Sequence, residues 1–129
     1  MKKINPLAEQ WFKLCNDDLE YALLGLKRGV IYNLVCFHCQ QAVEKCLKGF
    51  LTLSGIRFHK THKLEELAKL CEKENINFSD YLEKAKYLDG FYIETRYAGG
   101  AFGEYGKREA EKAIEYAQEI INFTKSKIV

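Results

Sequence analysis

The stretch VCFHCQQAVEKCLKGFL, residues 35–51, decides the fold because its apolar residues recur at the spacing of an α-helix. With Tyr32 added, the apolar stripe comprises Tyr32, Val35, Cys36, Cys39, Val43, Cys46, Leu47, Phe50 and Leu51. The polar positions between them, expected on the outer face, include His38, Gln41, Glu44, Lys45 and Lys48. The pattern predicts an amphipathic helix from about residue 30 to residue 53, ended by Ser54 and Gly55.

The same stretch contains a Cys36-x-x-Cys39 pair and a third cysteine, Cys46, which raises the question of a metal or redox site. Zinc ligands with this spacing lie in turns rather than inside helices. His59 and His62 are separated by two residues, whereas zinc fingers favour three to five. A thioredoxin-like pair needs a βαβ context that the pattern lacks. The cysteines are therefore predicted to be small hydrophobic core residues, and no metal or other cofactor is expected.

A first helix is predicted from about residue 6 to residue 28. Asn5 is a good N-cap, and Pro6 suits the first helical position because its missing N–H costs nothing there. The inward stripe of this helix is predicted to be Leu7, Trp11, Leu14, Asp18, Ala22 and Leu26. Asp18 interrupts this stripe, and an inward carboxylate is expected to have a polar partner.

Three further helices complete the predicted fold, at about residues 62–74, 79–97 and 107–127, with Thr61 as the N-cap of the first of them. Their predicted core positions are Leu64, Leu67, Ala68 and Cys71, then Leu82, Ala85, Leu88, Phe91 and Tyr92, and finally Ala110, Ala113, Ile114, Ala117, Ile120, Ile121 and Thr124. The segment YAGGAFGEYG, residues 97–106, is predicted to be a loop. The fold class is therefore all-α, an antiparallel up-and-down bundle of four to five helices.

Length and composition restrict the class of protein. The 129 residues are expected to form a single domain, residues 1–129. A net charge of +2 gives no global field for nucleic acid or membranes. No apolar run reaches the roughly 20 residues of a membrane span, and the N-terminus lacks the features of a signal peptide. The chain is therefore expected to be cytoplasmic, without a membrane partner.

Two patterns are candidate phosphate sites. Gly106-Lys107 lacks the glycine, the hydroxyl residue and the preceding strand of a P-loop, which leaves only a helix N-terminus with nearby cations. On the fourth predicted helix, Asp89, Tyr92 and Arg96 share one face. Arg96 is suited to bind a phosphate, Tyr92 to stack on a base and Asp89 to orient the arginine. The alternative is an interhelical salt bridge with a packing tyrosine.

Several motifs together resemble the HEPN domain family (higher eukaryotes and prokaryotes nucleotide-binding). The first helix contributes Trp11, Asp17-Asp18-Leu19 and Ala22, and the second contributes Phe37-His38, QQAVEK at 40–45 and Lys48. KTHKL at 60–64 resembles the family motif KTHDL. Leu88-Asp89, Tyr92 and Thr95-Arg96-Tyr97 resemble the region around its TRYP motif, with Ala98 in place of the proline. The resemblance covers most of the chain.

The resemblance implies a bundle of four to five helices, often dimeric, with a cleft between long helices. Many small members are encoded beside a minimal nucleotidyltransferase, as in toxin–antitoxin modules. It thus implies a non-catalytic subunit that binds a nucleotide or RNA phosphate, pairs with such an enzyme and forms a homodimer. The implied nucleotide- or phosphate-binding residues are Lys45, Lys48, His62, Asp89, Tyr92 and Arg96.

Two other functions remain open. Some family members are metal-independent ribonucleases with an R-x4-6-H motif, whose histidine and arginine activate the 2′-hydroxyl and stabilise the phosphorane. No histidine follows Arg96 here, and the R-x4-H match that does occur, Arg57 to His62, lies in a linker. A ribonuclease toxin would need another base, such as His62 brought in by the fold. The third possibility is a structural helical dimer with no ligand.

Overall fold

The fold is known from a computed structural model, which describes residues 5–94 and 105–128. Every regular element within these residues is helical, which confirms the predicted all-α class. The helices are α1 (Pro6–Arg28), α2 (Tyr32–Leu53), α3 (Leu64–Cys71), α4 (Leu82–Asp89), α5 (Phe91–Glu94) and α6 (Lys107–Ser126). Two short 3₁₀ segments, Glu72–Glu74 and Ser79–Tyr81, lie between α3 and α4.

α1 and α2 form a hairpin whose first arm has the predicted bounds. The Asn5 side chain accepts a hydrogen bond from the Ala8 N–H at 3.0 Å, so it caps α1 as predicted. Gly29 ends the helix in the left-handed conformation, with φ of 71°. Ile31 then enters α2 with φ of 39°, a conformation that a β-branched residue rarely adopts.

α2 is the central helix, and its predicted outer face is partly wrong. Glu44 is 4% exposed and Lys48 is 6% exposed, so the two charged side chains are buried. α2 packs against α1, α3, α4, α5 and α6, which leaves little of its surface to solvent. Contact with α1 is close at Gly49, where a Cβ would lie 2.8 Å from the Phe12 ring. The predicted apolar stripe of α2 is otherwise confirmed.

The predicted inward stripe of α1 is also partly wrong. Leu7 and Leu14 are 53% and 43% exposed, whereas Ala22 is buried as predicted and Ala8 and Cys15, which were not predicted, are buried beside it. α1 carries two apolar stripes, and the one with small residues is buried because it lets the α1 backbone approach α2 closely. The larger side chains Leu7 and Leu14 of the other stripe stay exposed.

The second half of the chain departs from prediction at two points. Thr61 does not cap α3, because its hydroxyl accepts a hydrogen bond from the Lys63 N–H while Asp89 accepts those of α3 itself. The fourth predicted helix is not continuous, since a 3₁₀ segment precedes α4 and a break at Gly90 separates α4 from α5. Residues 95–97 of that prediction and most of the glycine-rich loop lie outside the described residues. The predicted core faces of α3 and α6 are confirmed.

All five cysteines are buried free thiols, as predicted for core residues. Burial raises the pKa of Cys36 and of Cys71 to about 12, so these thiols stay protonated at neutral pH. Within the described ranges, no three side chains of His, Cys, Asp or Glu converge in a way that would bind a metal. No helix in the same ranges combines the length and apolar character of a membrane span.

Candidate functional site

A cleft opens between the segment preceding α3 and the junction of α4 and α5. Its volume is about 610 Å³. The lining residues of this cleft are Thr61, His62, Lys63, Glu65, Lys86, Asp89, Gly90 and Tyr92. Three of the residues predicted from sequence, His62, Asp89 and Tyr92, therefore line one cavity.

A buried cluster of charged groups supports one wall of the cleft. We call it the Glu44 cluster; its members are Gln41, Glu44, Lys48 and His62. Lys48 Nζ lies 2.8 Å from Glu44 Oε2, one helical turn away on α2. Gln41 donates to Glu44 Oε1 at 3.0 Å, and His62 Nδ1 lies 3.2 Å from both carboxylate oxygens. Three partners thus compensate the buried Glu44 carboxylate.

His62 is held in a defined orientation within this cluster. An ionised carboxylate only accepts hydrogen bonds, so His62 donates from Nδ1 to Glu44. The ring stacks on Tyr92, with centroids 4.3 Å apart and planes inclined by 18°. The His62 side chain is 43% exposed, whereas that of Glu44 is 5% exposed. The imidazole therefore connects the buried cluster with the solvent side of the cleft.

Asp89 secures the segment that carries His62. Its carboxylate accepts hydrogen bonds from the Leu64 N–H at 2.9 and 3.1 Å, at the N-terminus of α3. The Gln40 amide donates to Asp89 at 3.4 Å and to the His62 carbonyl at 2.8 Å. Burial raises the pKa of Asp89, although the hydrogen bonds from Leu64 and Gln40 oppose that effect. Asp89 is thus a helix cap that also lines the cleft.

The two predicted binding lysines lie away from the cleft lining. Lys48 is buried against Glu44, with its Nζ 5.5 Å from the centre of the Trp11 ring. Lys45 Nζ lies 2.5 Å from Asp18 Oδ2, on the side of α2 that faces α1. Both ammonium groups therefore already have a carboxylate partner in this structure.

Asp18 is the centre of a second cluster, the Asp18 cluster, formed by Asp18, His38 and Lys45. His38 Nδ1 lies 2.8 Å from Asp18 Oδ1, and the His38 ring packs edge-on against Tyr21 at 4.5 Å between centroids. Burial opposes ionisation of Asp18, but the hydrogen bonds from His38 and Lys45 outweigh it and lower the pKa of this carboxyl. Asp18 therefore has the polar partner that was expected, and it has two of them, His38 and Lys45.

Sequence reasoning missed Glu44, Gln40 and His38 as organising residues. The i, i+4 spacing of Glu44 and Lys48 was a signal for an ion pair, but not for its burial. Arg96, with Thr95 and Tyr97, lies outside the described residues. The chain is described again from Tyr105, whose N–H donates to Asn33 Oδ1 at 2.7 Å.

The chain matches a known protein family and a named relative over most of its length. The model of the HEPN domain family matches residues 8–128. The protein named "Putative toxin MJ1304", from Methanocaldococcus jannaschii, is 27% identical over 132 aligned positions, which cover 92% of this chain and 86% of that protein.

Solved structures show the same fold. TT1696 from Thermus thermophilus superposes with a TM-score of 0.83 at 32% identity, covering 92% of this chain and 96% of that one. ST0689, described as an archaeal HEPN homologue, gives a TM-score of 0.76 at 31% identity, with coverage of 95% and 98%. TM0613 from Thermotoga maritima, described as a HEPN domain protein, gives a TM-score of 0.71 at 27% identity, with coverage of 91% and 95%.

Proposed function

This chain belongs to the HEPN domain family, and from that premise we propose that it is the toxin-type subunit of a two-component module. In this role it binds the phosphate of a nucleotide or RNA in the cleft and pairs with a minimal nucleotidyltransferase. The similarity to a protein of M. jannaschii whose name is that of a toxin supports the first part. The family resemblance supports the second part.

The observation that carries the proposal is the stack of His62 on Tyr92 in the cleft. Each of two stacked rings has a second face, against which a base can stack, a contact that tolerates every base. Lys63 and Lys86 line the same cleft, and the Lys86 side chain is 53% exposed, so cationic groups lie near the rings. Arg96 follows Tyr92 by four residues in the sequence and belongs to the proposed phosphate site.

Binding of ATP and of a short single-stranded RNA, measured by isothermal titration calorimetry, tests this site. We expect His62→Ala and Tyr92→Ala to weaken binding by about tenfold or more, as loss of a stacked ring does. The matched control is His59→Ala, because His59 lies in the same linker, is 72% exposed and contacts Glu66 instead of Glu44. Equal affinity of all variants, or no binding by the wild type, would contradict the proposal.

The nucleotidyltransferase partner has a separate test. We expect a minimal nucleotidyltransferase gene beside the gene for this chain. When the two are co-expressed with an affinity tag on this chain alone, we expect both to be recovered at equal stoichiometry. Growth arrest on expression of this chain alone, relieved by the partner, would support the toxin role. Normal growth together with failure to recover the partner would argue against the module.

A metal-independent ribonuclease is the second candidate, and one observation favours it. His62 Nδ1 contacts the Glu44 carboxylate, and with its proton on Nδ1 the neutral ring has its lone pair on Nε2, which is the form of a general base. In such a reaction Nε2 accepts the proton of the RNA 2′-hydroxyl, the 2′-oxygen attacks phosphorus and the 5′-oxygen leaves with a proton from solvent. His62 would thus supply the base that is missing after Arg96.

RNA cleavage in the presence of EDTA separates the two candidates. Ribonuclease activity predicts cleavage by the wild type and by His59→Ala, with loss of activity in His62→Ala and Arg96→Ala. Products should end in a 2′,3′-cyclic phosphate. RNA binding without cleavage by the wild type would favour the binding subunit.

A further inference from the structure

A surface where α4 and α6 meet combines aromatic rings with lysine side chains. Seven residues form it, and together we call them the aromatic–lysine band: Tyr81, Lys84, Tyr87, Lys112, Tyr116, Phe123 and Lys127. The four rings are half-buried and pack against the core, whereas Lys112 and Lys127 are exposed. The band therefore lies at the surface of the protein, on rings that the core holds in place.

Residue spacing places the α6 part of the band in one line. Lys112, Tyr116, Phe123 and Lys127 follow one another after four, seven and four residues. Steps of four and seven return to nearly the same side of an α-helix, so the four side chains lie within about 60° around α6. From residue 112 to residue 127 the line is about 22 Å long, which is long enough for a segment of several nucleotides.

Contacts between rings and ammonium groups connect the two helices along this line. Lys112 Nζ lies 4.6 Å from the centre of the Tyr87 ring and 5.5 Å from that of Tyr116. Lys84 Nζ lies 5.3 Å from the centre of the Tyr116 ring and 5.8 Å from that of Tyr81. The Tyr116 ring therefore has an ammonium group from each helix within the range of a cation–π contact.

The same alternation continues to the end of α6. The centroids of the Tyr81 and Phe123 rings are 4.6 Å apart, with planes inclined by 31°. Lys127 Nζ lies 5.1 Å from the centre of the Phe123 ring. Rings and ammonium groups thus follow each other from Tyr87 to Lys127 without a gap.

The band has a positive net charge because two of its three lysines lack an acidic partner. Lys84 forms an ion pair with Glu119 of α6. Among the residues that the structure describes, none forms an ion pair with Lys112 or Lys127. Glu115 is exposed beside the band, but Arg108, exposed one turn before Lys112, offsets its charge.

The band and the cleft lie on opposite sides of α4. Lys84 and Tyr87 belong to the band, whereas Lys86 and Asp89 line the cleft. Successive residues are about 100° apart around a helix, so these two pairs point in roughly opposite directions. The band is therefore a second surface, and what it binds does not depend on a ligand in the cleft.

From this arrangement we propose that the aromatic–lysine band binds single-stranded nucleic acid, with phosphates on Lys112 and Lys127 and bases on Tyr116 and Phe123. Aromatic rings that stack bases, next to cations that contact the backbone, are what such strands require. A cation–π contact at an exposed site is weak, whereas a contact between an ammonium group and a phosphate is charge-assisted. Lys112 can therefore move from the Tyr116 ring to a phosphate, which opens the ring face to a base.

Fluorescence anisotropy with a labelled oligouridine of about ten nucleotides tests the stacking part. We expect Tyr116→Leu to weaken binding about tenfold, because leucine retains the packing against the core but offers no ring to a base. Tyr21→Leu is the matched control, since it removes an exposed tyrosine from α1 and should leave the affinity unchanged. Oligothymidine of the same length, titrated in parallel, tells whether RNA or DNA is the preferred strand.

The salt dependence of the same binding tests the phosphate contacts. Lys112→Gln and Lys127→Gln should each reduce the slope of the logarithm of affinity against the logarithm of salt concentration by about 0.7, the value for one phosphate contact to a single strand. Lys13→Gln is the control, because Lys13 is 76% exposed on α1 and contacts Asp17. An unchanged slope in both band variants would contradict the phosphate contacts.

Variants of the cleft separate the two surfaces. In the His62→Ala protein, oligouridine should still bind to the band, and adding Tyr116→Leu should weaken that binding. Tyr116→Leu alone should leave the affinity for ATP, a ligand of the cleft, unchanged. The inference is wrong if oligouridine binding is lost in His62→Ala and unchanged in Tyr116→Leu, or if the wild type binds neither oligouridine nor oligothymidine.

Discussion

The Asp18 cluster and the Glu44 cluster both contain a carboxylate, a lysine and a histidine, but they differ in which part of the chain supplies the histidine. Asp18 contacts His38 at 2.8 Å and Lys45 at 2.5 Å, and both partners belong to α2. Glu44 contacts Lys48 at 2.8 Å on its own helix and His62 at 3.2 Å on the linker before α3. The Asp18 cluster therefore connects α1 to α2. The Glu44 cluster connects α2 to His62 of the linker, which lines the cleft.

Burial separates the two clusters further. The Glu44 and Lys48 side chains are 5% and 7% exposed, while those of Asp18 and Lys45 are 12% and 21% exposed. A charge without water must be compensated by protein groups, so the cost of removing one partner rises with burial. A carboxylate, a lysine and a histidine can therefore hold two helices together, as in the Asp18 cluster, or support one wall of the cleft, as in the Glu44 cluster.

The largest effect is expected from Glu44→Ala. This change leaves the Lys48 ammonium buried without a counter-charge and should lower the free energy of unfolding by about 3–5 kcal/mol. Urea denaturation followed by circular dichroism measures it. Asp17→Ala is the matched control: Lys13 and Asp17 have the same i, i+4 spacing but are 76% and 55% exposed, so the loss should be about 0.5 kcal/mol. Similar losses of unfolding free energy in both variants would show that burial does not distinguish the two ion pairs.

A smaller loss is expected from Asp18→Ala, about 1–3 kcal/mol in the same urea experiment. The partners that it leaves behind are 21% and 26% exposed for Lys45 and His38, so water can solvate them in part. Nucleotide or RNA binding in the cleft should be unaffected, because the Asp18 cluster faces α1. A loss larger than that of Glu44→Ala would reverse the comparison.

Replacing each histidine should separate stability from binding. His62→Ala is expected to change the free energy of unfolding by no more than about 1 kcal/mol, since the ring is 43% exposed. It should nevertheless abolish most ligand affinity. His38→Ala should cost about 1 kcal/mol through its hydrogen bond to Asp18 and leave affinity unchanged. Calorimetric binding and urea denaturation of both variants provide the two readouts, and equal loss of affinity would contradict this division.

The smallest effect concerns the pH dependence of stability, where Asp18 and Asp89 should have opposite signs. The pKa of Asp18 is lowered from 3.8 in the folded state, so its stabilisation is present above pH 3.8 and is lost as the pH falls through the folded pKa. The pKa of Asp89 is raised from 3.8, so its protonated form favours folding, and that contribution is lost as the pH rises through the folded pKa.

Urea denaturation on both sides of the ordinary Asp pKa of 3.8, between about pH 2 and pH 6, checks these signs. Relative to the wild type, Asp18→Asn should flatten the decrease in stability toward acid, and Asp89→Asn should make that decrease steeper. Asp17→Asn serves as the exposed control. Changes of the same sign in both buried variants would contradict the assigned pKa directions.

Local patterns predicted most of the fold. The bounds of α1 follow from Asn5, Pro6 and Gly29, and the buried face of α6 follows from its periodicity. The stripe of α1 was predicted wrongly at Leu7 and Leu14, because these residues are more hydrophobic than Ala8 and Cys15, which are buried instead. Periodicity identifies apolar faces but does not tell which of two faces a partner helix needs for close packing.

The candidate site was also predicted only in part. Sequence motifs named His62, Asp89 and Tyr92, which the fold brings together in one cleft. The burial of Glu44 and the pairing of Lys45 with Asp18 depend on contacts between residues far apart in the chain. No local spacing encodes those contacts, so a polar position between apolar ones was predicted to be solvent-exposed. The role of Arg96 in phosphate binding stays a prediction.

The cap of α3 has a consequence for the growing chain on the ribosome. Leu64 leaves the exit tunnel 25 residues before Asp89, the residue that accepts its N–H hydrogen bond. An eight-residue helix has little stability of its own, so α3 lacks the carboxylate that caps its N-terminus until α4 has been synthesised. Asp89, Gly90 and Tyr92 also line the cleft, so one of its walls is added only after the end of α4 has been synthesised.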